Sequence, residues 1–190
     1  MDLTEAVKDT LKVWGRNEWI YWTYSKAKFN LQRYIDDTFE ATEIIKNLWL
    51  GALSSSCNRD ELQRRDIETI ISAALGSSAI FPFDFKYERA KLRDVENEDI
   101  LTDIHRLLPI IRREILAGKG LLCHCHAGKS RSVTIVAAYL IRYHKMGAIE
   151  ALGFIKDRRT QIDPNPGYIE QLIQFEGENV DDNYHVKKND

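Results

Sequence analysis

No stretch of the 190-residue sequence approaches the roughly eighteen consecutive apolar residues that a membrane-spanning helix needs. Nor does it open with a charged-then-apolar leader ending in small residues, so no secretory signal is expected. Cysteine is scarce. Three residues, an odd number, argue against a disulfide framework and fit a reducing compartment, the cytoplasm or the nucleus. Excess charge of either sign is missing too. Lysine and arginine number 27 against 29 aspartates and glutamates, a formal net charge of −2, so bulk attraction to nucleic acid or a membrane surface is not expected. Internal repeats and low-complexity tracts are absent. What remains is 44% hydrophobic and 29% charged residues, the balance of a soluble globular chain, with length for one domain and a decorated end.

Residues 121–132, Leu-Leu-Cys-His-Cys-His-Ala-Gly-Lys-Ser-Arg-Ser, organise the rest. Two apolar residues lead into a short polar loop, and residues 133–144 then read as an apolar, buried helix. A strand feeding a compact loop that opens a helix can hold a phosphate, because successive backbone N–H groups and the positive end of the helix dipole face one point. Cys125 and Arg131 lie in this loop with five residues between them. At the loop floor, amides and dipole favour the Cys125 thiolate, a nucleophile at neutral pH. Arg131, on the first helical turn, can return its planar fork over the loop and grip two phosphate oxygens. Ser132 can donate a hydrogen bond to the sulfur when it leaves. These are the side chains of phosphate-monoester chemistry.

Rival readings of the same residues fare worse. Gly128-Lys129-Ser130 imitates the end of a nucleotide-binding Gly-x4-Gly-Lys-Ser loop, but that motif requires glycine where Cys123 stands. Cys123, His124, Cys125 and His126 could suggest zinc, yet strand neighbours point to opposite faces and no second ligand pair follows, so no metal is expected. A buried strand cysteine with an inert surface loop would leave Gly128, Arg131 and Ser132 unexplained.

The stretch from His124 to Ser132, in the form His-Cys-x-x-Gly-x-Ser-Arg-Ser, resembles the phosphate loop of cysteine-dependent protein phosphatases of the dual-specificity branch. The likeness runs from about Thr42 to Phe175. It takes in a strand pair ending in Leu50-Gly51 and the Ile162-Asp163-Pro164-Asn165 turn, followed by Gly167-Tyr168-Ile169 and Gln171-Leu172. It implies an α/β fold, a central mostly parallel five-stranded sheet flanked by helices, in a catalytic domain over residues 39–177. Residues 1–38 would be a helical, aromatic extension and residues 178–190 a polar, disordered tail.

The resemblance also implies roles. The backbone of His126, Ala127, Gly128, Lys129, Ser130 and Arg131 would hold the phosphate oxygens, and His124 would lower the Cys125 pKa or order the loop. Breaking the ester needs a proton donor from another loop. In this family it is an aspartate just after a strand, which is Asp94 here; Asp99 better suits a helix cap, and Glu96 and Glu98 are lesser candidates. Arg158 and Arg159 would form a basic rim for a second phosphate or an acidic flank, and Asn165 would orient the pocket or cap a turn. The Trp-Pro-Asp element and the Lys-Asn-Arg-Tyr element that deepens a tyrosine-only pocket are both missing. The expected activity is therefore metal- and cofactor-independent hydrolysis of phosphotyrosine and phosphoserine/threonine in a phosphorylated protein. A phosphoinositide or RNA 5′-phosphate substrate, and a non-catalytic phosphoprotein-binding module, are the alternatives.

Local patterns complete the reading. Strands are expected over residues 44–45, 48–51, 67–72 and 86–92, and helices over 60–65, 100–116 and 148–159, with Pro109 bending or breaking the second of these. Phe81-Pro82-Phe83 is expected to be packing. In residues 1–38, Leu3, Val7, Leu11 and Trp14 fall at helical spacing. Trp19, Tyr21, Trp22, Tyr24 and Phe29 would strap onto the domain, line the substrate or make a homodimer contact. Cys57 and Cys123 are candidates to trap an oxidised Cys125 as a disulfide.

Overall fold

The computed structural model describes residues 39–186. The extension over residues 1–38, with its strap, rim or dimer contact, lies outside the described residues.

The described residues begin with a hairpin of β1 (Thr42–Ile45) and β2 (Leu48–Gly51), antiparallel about Asn47. Asn47 sits at φ 68, the left-handed region asparagine tolerates, and its N–H donates to Glu43 Oε1 across 2.9 Å. A 3₁₀ turn over Leu53–Cys57 leads to helix α1 (Arg59–Arg64), whose first turn is capped by the Asn58 side chain accepting from Glu61 N–H at 3.1 Å. Strands β3 (Ile67–Ala73) and β4 (Lys86–Ala90), helix α2 (Leu101–Leu116) and strand β5 (Gly120–His124) follow. Helices α3 (Arg131–His144), α4 (Ala148–Lys156) and α5 (Pro166–Val186) complete the described residues.

The five strands lie in the order β1-β2-β5-β3-β4, and every pairing except that of β1 with β2 is parallel. The mostly parallel five-stranded sheet implied by the resemblance is the one observed. Strand β5 sits at its centre and is buried along its whole length, which is why Gly-Leu-Leu-Cys-His reads as an apolar run without polar alternation. Its side chains divide between two cores. Leu121 and Cys123 point to the larger one with Leu48, Leu50 and Ile71, covered by α2, α3 and α5; Leu122 points to the smaller one with Ile70, Leu62 and Phe85. Edge strand β4 carries Lys86, Glu88 and Arg89, charges that discourage edge pairing.

Helix α3 is buried from Ser132 to Ile141, packs between α4 and α5, and starts where β5 has just ended. That strand–loop–helix step at the carboxyl end of a parallel sheet is where ligand sites form in such folds.

Three local expectations are corrected. Pro109 neither breaks nor ends α2, because Pro109 and His105, whose carbonyl loses its partner, lie on the exposed face while Ile104, Leu107, Leu108 and Ile111 anchor the other. Phe83 is not packing: it is fully exposed, whereas Phe81 meets Phe85 edge-on at 6.1 Å. The closing helix continues through residues expected to be disordered, to Val186. Extending a helix already nucleated against the core costs little, and Gln174 donates to Glu178 at 3.2 Å across the junction.

Candidate active site

Cys125 is the first residue after β5, and its side chain is 1% exposed at the floor of a loop closed by Arg131. The loop curves because Gly128 adopts φ +65, and a Cβ there would stand 2.6 Å from the Gly51 carbonyl. Glycine is therefore needed twice over, for its backbone and for the close approach of β2. Leu53 N–H donates to His126 O at 3.1 Å and ties the loop to the exit of β2.

Burial works against ionising the Cys125 thiol. The Ser132 hydroxyl, 3.2 Å away, the Ser132 N–H, the Arg131 charge and the Gly128 N–H together outweigh it and hold the thiol below its ordinary value. His124 is buried, and its Nδ1 lies 3.2 Å from Cys125 O. Burial, only partly offset by that contact, pulls its pKa to about 4. The imidazole is therefore neutral at pH 7 and contributes no positive field to the sulfur; what it does contribute is a brace on the loop backbone.

Arg131 reaches back across the site. One guanidinium N–H donates to Leu92 O at 3.2 Å, and Nε faces Asp94 Oδ2 at 3.4 Å as an ion pair without hydrogen-bond geometry. Asp94 thus stands beside the phosphate loop although it lies 31 positions before Cys125. Its Oδ1 accepts from Ser130 Oγ at 2.6 Å and from Asn165 Nδ2 at 2.9 Å. The other carboxylates of that loop are otherwise engaged or turned to solvent. Glu98 pairs with Arg93 at 2.7 Å, Asp99 accepts the Thr102 N–H and hydroxyl at the start of α2, and Glu96 is exposed.

Asn165 bonds in two directions. Its Oδ1 accepts from Tyr168 N–H at 3.0 Å, capping α5, while its Nδ2 holds Asp94 and its own N–H donates to Ser130 Oγ at 3.3 Å. Ser130 is thereby more than a loop amide: it links the loop to Asp94, a contact its position in the motif did not reveal. His126, Ala127 and Lys129 are exposed on the loop's outer surface, and Lys129 O accepts from Asp163 N–H at 2.8 Å.

Arg159 is not a rim. It is 3% exposed, and its guanidinium donates to Gly128 O at 3.0 Å, Glu40 O at 2.6 Å and Thr42 Oγ1 at 3.4 Å. Its fork is used up as a strut under the phosphate loop, since α4 ends at Lys156 and the following turn points residue 159 inward. Arg158 is exposed but lies 3.5 Å over the Phe154 ring and donates to Phe154 O at 3.0 Å.

Cys123 and Cys57 differ from Cys125. Burial pushes both thiols up, and they are directed at Ser132 O (3.8 Å) and Leu53 O (3.3 Å). Among the described residues no cluster of His, Cys, Asp and Glu could hold a metal ion, and no helix is long and apolar enough to cross a membrane.

The family described as dual specificity phosphatase, catalytic domain, matches residues 48–178. The chain belongs to the dual-specificity phosphatases. It is a protein phosphatase of the cysteine-based superfamily. Among curated relatives it is similar to dual specificity protein phosphatase 1B of Arabidopsis thaliana, 35% identical over 80% of this chain and 92% of the relative. Among solved structures it is similar to DUSP15 (TM-score 0.69, 32% identity, 72% of this phosphatase and 86% of that chain). It is also similar to human tyrosine phosphatase-like serine/threonine/tyrosine-interacting protein (TM-score 0.72, 28% identity, 74% and 97%). The matched span holds every site residue from Asp94 to Asn165.

Proposed function

We propose that this phosphatase hydrolyses phosphotyrosine and phosphoserine/threonine in proteins through a cysteinyl-phosphate intermediate, without a metal. The observation that carries the reading is the convergence on one pocket of a thiol held toward its thiolate, Arg131 and Asp94. In the first step a lone pair of Cys125 Sγ forms the S–P bond as the P–O ester bond breaks. The leaving oxygen takes the proton of Asp94 in its acid form. The Arg131 fork and the loop amides of residues 126–131 stabilise the equatorial oxygens, where charge gathers in the transition state. In the second step Asp94, now a carboxylate, accepts a proton from water as the water oxygen bonds to phosphorus and the P–S bond breaks. Ser132 donates to the departing thiolate, and inorganic phosphate leaves. His124 braces the loop through the Cys125 carbonyl. The three cysteines and a thiolate nucleophile suit the cytoplasm or nucleus.

Support for a protein substrate comes from Ser130 before Arg131, the protein-phosphatase form of the loop; the exposed His126 and Lys129 are what a phosphoinositide or RNA 5′-phosphate would use instead. The likeness to a protein named as phosphatase-like and interacting raises the binding-module alternative. Phosphate release from phosphotyrosyl, phosphothreonyl, phosphoinositide and RNA 5′-phosphate substrates, in chelator, for wild type and Cys125→Ser, tests all of these. Chelator-resistant turnover lost in Cys125→Ser, highest on the phosphopeptides, is the expected result. Phosphopeptide retention without release by wild type would make the loop a receptor only.

A further inference from the structure

The acid-bearing segment, residues 93–100, has no regular secondary structure, and Arg93, Asp94, Val95, Glu96 and Asn97 are all exposed. A segment with so little buried apolar surface should open easily on its own. It is instead fastened from one side by residues 165–171, at the start of α5. Besides Asn165 on Asp94, the Tyr168 hydroxyl donates to Arg93 O. Gln171 uses both ends of its amide: Nε2 donates to Glu98 O at 2.9 Å, and Oε1 accepts from Ile100 N–H at 2.9 Å. Gly167 passes so close beneath the segment that a Cβ there would run into the Glu96 carbonyl. Tyr168 is fully buried, and burial with the nearby Asp94 and Glu98 charges pushes its phenol far up, so it is a donor at every physiological pH.

We propose that the first turns of α5 form a latch that fixes the Asp94 segment over the phosphate pocket, with Gln171 and Tyr168 as positioning residues for proton delivery to the leaving group. The inference rests on the reading of Asp94 as the proton donor. Gln171 and Tyr168 touch no reacting atom. They hold main-chain carbonyls one residue before Asp94 and four residues after it, so the carboxyl is presented at a fixed height above Cys125 without spending binding energy on closure. A general acid is worth about 10²–10⁴-fold, and displacement by an ångström or so forfeits a large part of that. The requirement bites only where the leaving group needs a proton. A strongly acidic phenol departs unaided; one with the tyrosine pKa of about 10 does not.

The test compares two aryl phosphates, one releasing a strongly acidic phenol and one a tyrosine-like phenol, on the whole 190-residue chain. Their kcat/KM values report the step in which the phenol leaves, and their ratio does not depend on the fraction of a variant that is folded. Asp94→Asn should lose roughly a hundredfold on the tyrosine-like substrate and little on the other. Gln171→Ala, and independently Tyr168→Phe, should lose on the order of tenfold on the tyrosine-like substrate alone, with the shortfall shrinking as leaving-group acidity rises. A proportional loss on both substrates, or none, in both latch variants while Asp94→Asn remains selective would overturn the latch. A proportional loss in Asp94→Asn itself would overturn the proton-donor reading and the latch with it.

Discussion

Replacing Ser132 by alanine deletes one hydroxyl from the floor of the pocket. Ser132 is fully buried, its Oγ donates to Cys125 Sγ at 3.2 Å, and its backbone N–H stays in place because it belongs to α3. A hydrogen bond to a charged group in such a setting contributes about 1.5–3 kcal/mol. That is roughly a factor of ten to a hundred in an equilibrium or a rate. Two steps feel it. Below the pH at which the thiol ionises, the thiolate fraction falls by that factor, so the acid limb of kcat/KM moves to higher pH. In the second step the sulfur leaves as a less stabilised anion, so where that step limits turnover kcat and KM fall together and the cysteinyl-phosphate accumulates. The Gly128 N–H and the Arg131 charge remain, so activity should survive at alkaline pH. Alkylation of Cys125 by a haloacetamide as a function of pH reads ionisation without turnover, and steady-state kinetics read the second step. An alkylation profile and a kcat both equal to wild type would refute the claim that this hydroxyl steadies the thiolate.

Further outcomes follow from the loop's supports. His124 is near 6.5 in an unfolded chain and about 4 when folded, so the unfolded state binds its proton first and stability falls as pH drops from 6.5 toward 4, by about 3 kcal/mol. Urea melts at neutral and acid pH should show that loss in wild type and a smaller one in His124→Gln; equal pH dependence would contradict it. Gly128→Ala carries a left-handed penalty of about 1–2 kcal/mol and presses on the Gly51 backbone, so inorganic-phosphate affinity should fall severalfold or more, and wild-type affinity would argue against the close approach. Arg159→Met leaves two backbone carbonyls without their donor, each costing about 1–3 kcal/mol, and should lower Tm and phosphate affinity alike for all substrates. A loss confined to substrates with an acidic or phosphorylated flank would restore the rim reading.

Much of this site is legible in the sequence because its chemistry is local. Cys125, Gly128, Arg131 and Ser132 fall within one strand–loop–helix step, and residue type plus spacing suffices to place them. Asp94 was legible only by its position after a strand, since its partners Ser130 and Asn165 come from elsewhere in the chain. Arg159 shows where such reading stops. A pair of arginines at a helix end looks like a surface patch, and only the tertiary turn after Lys156 sends one inward to a carbonyl. Tyr168 and Gln171 carry part of the family likeness, but their contacts are not legible for the same reason: the partners are main-chain groups, which carry no sequence signal. Pro109 erred in the other direction, because its local penalty is outweighed by the buried face of α2.

The most direct measurement is mass spectrometry of the protein quenched in acid during turnover of an aryl phosphate in chelator. The expected result is a single phosphoryl group on the peptide containing Cys125, more abundant in Ser132→Ala and absent from Cys125→Ser. Phosphate release that continues in Cys125→Ser, or turnover with the phosphoryl group on another residue, would contradict the thiolate mechanism.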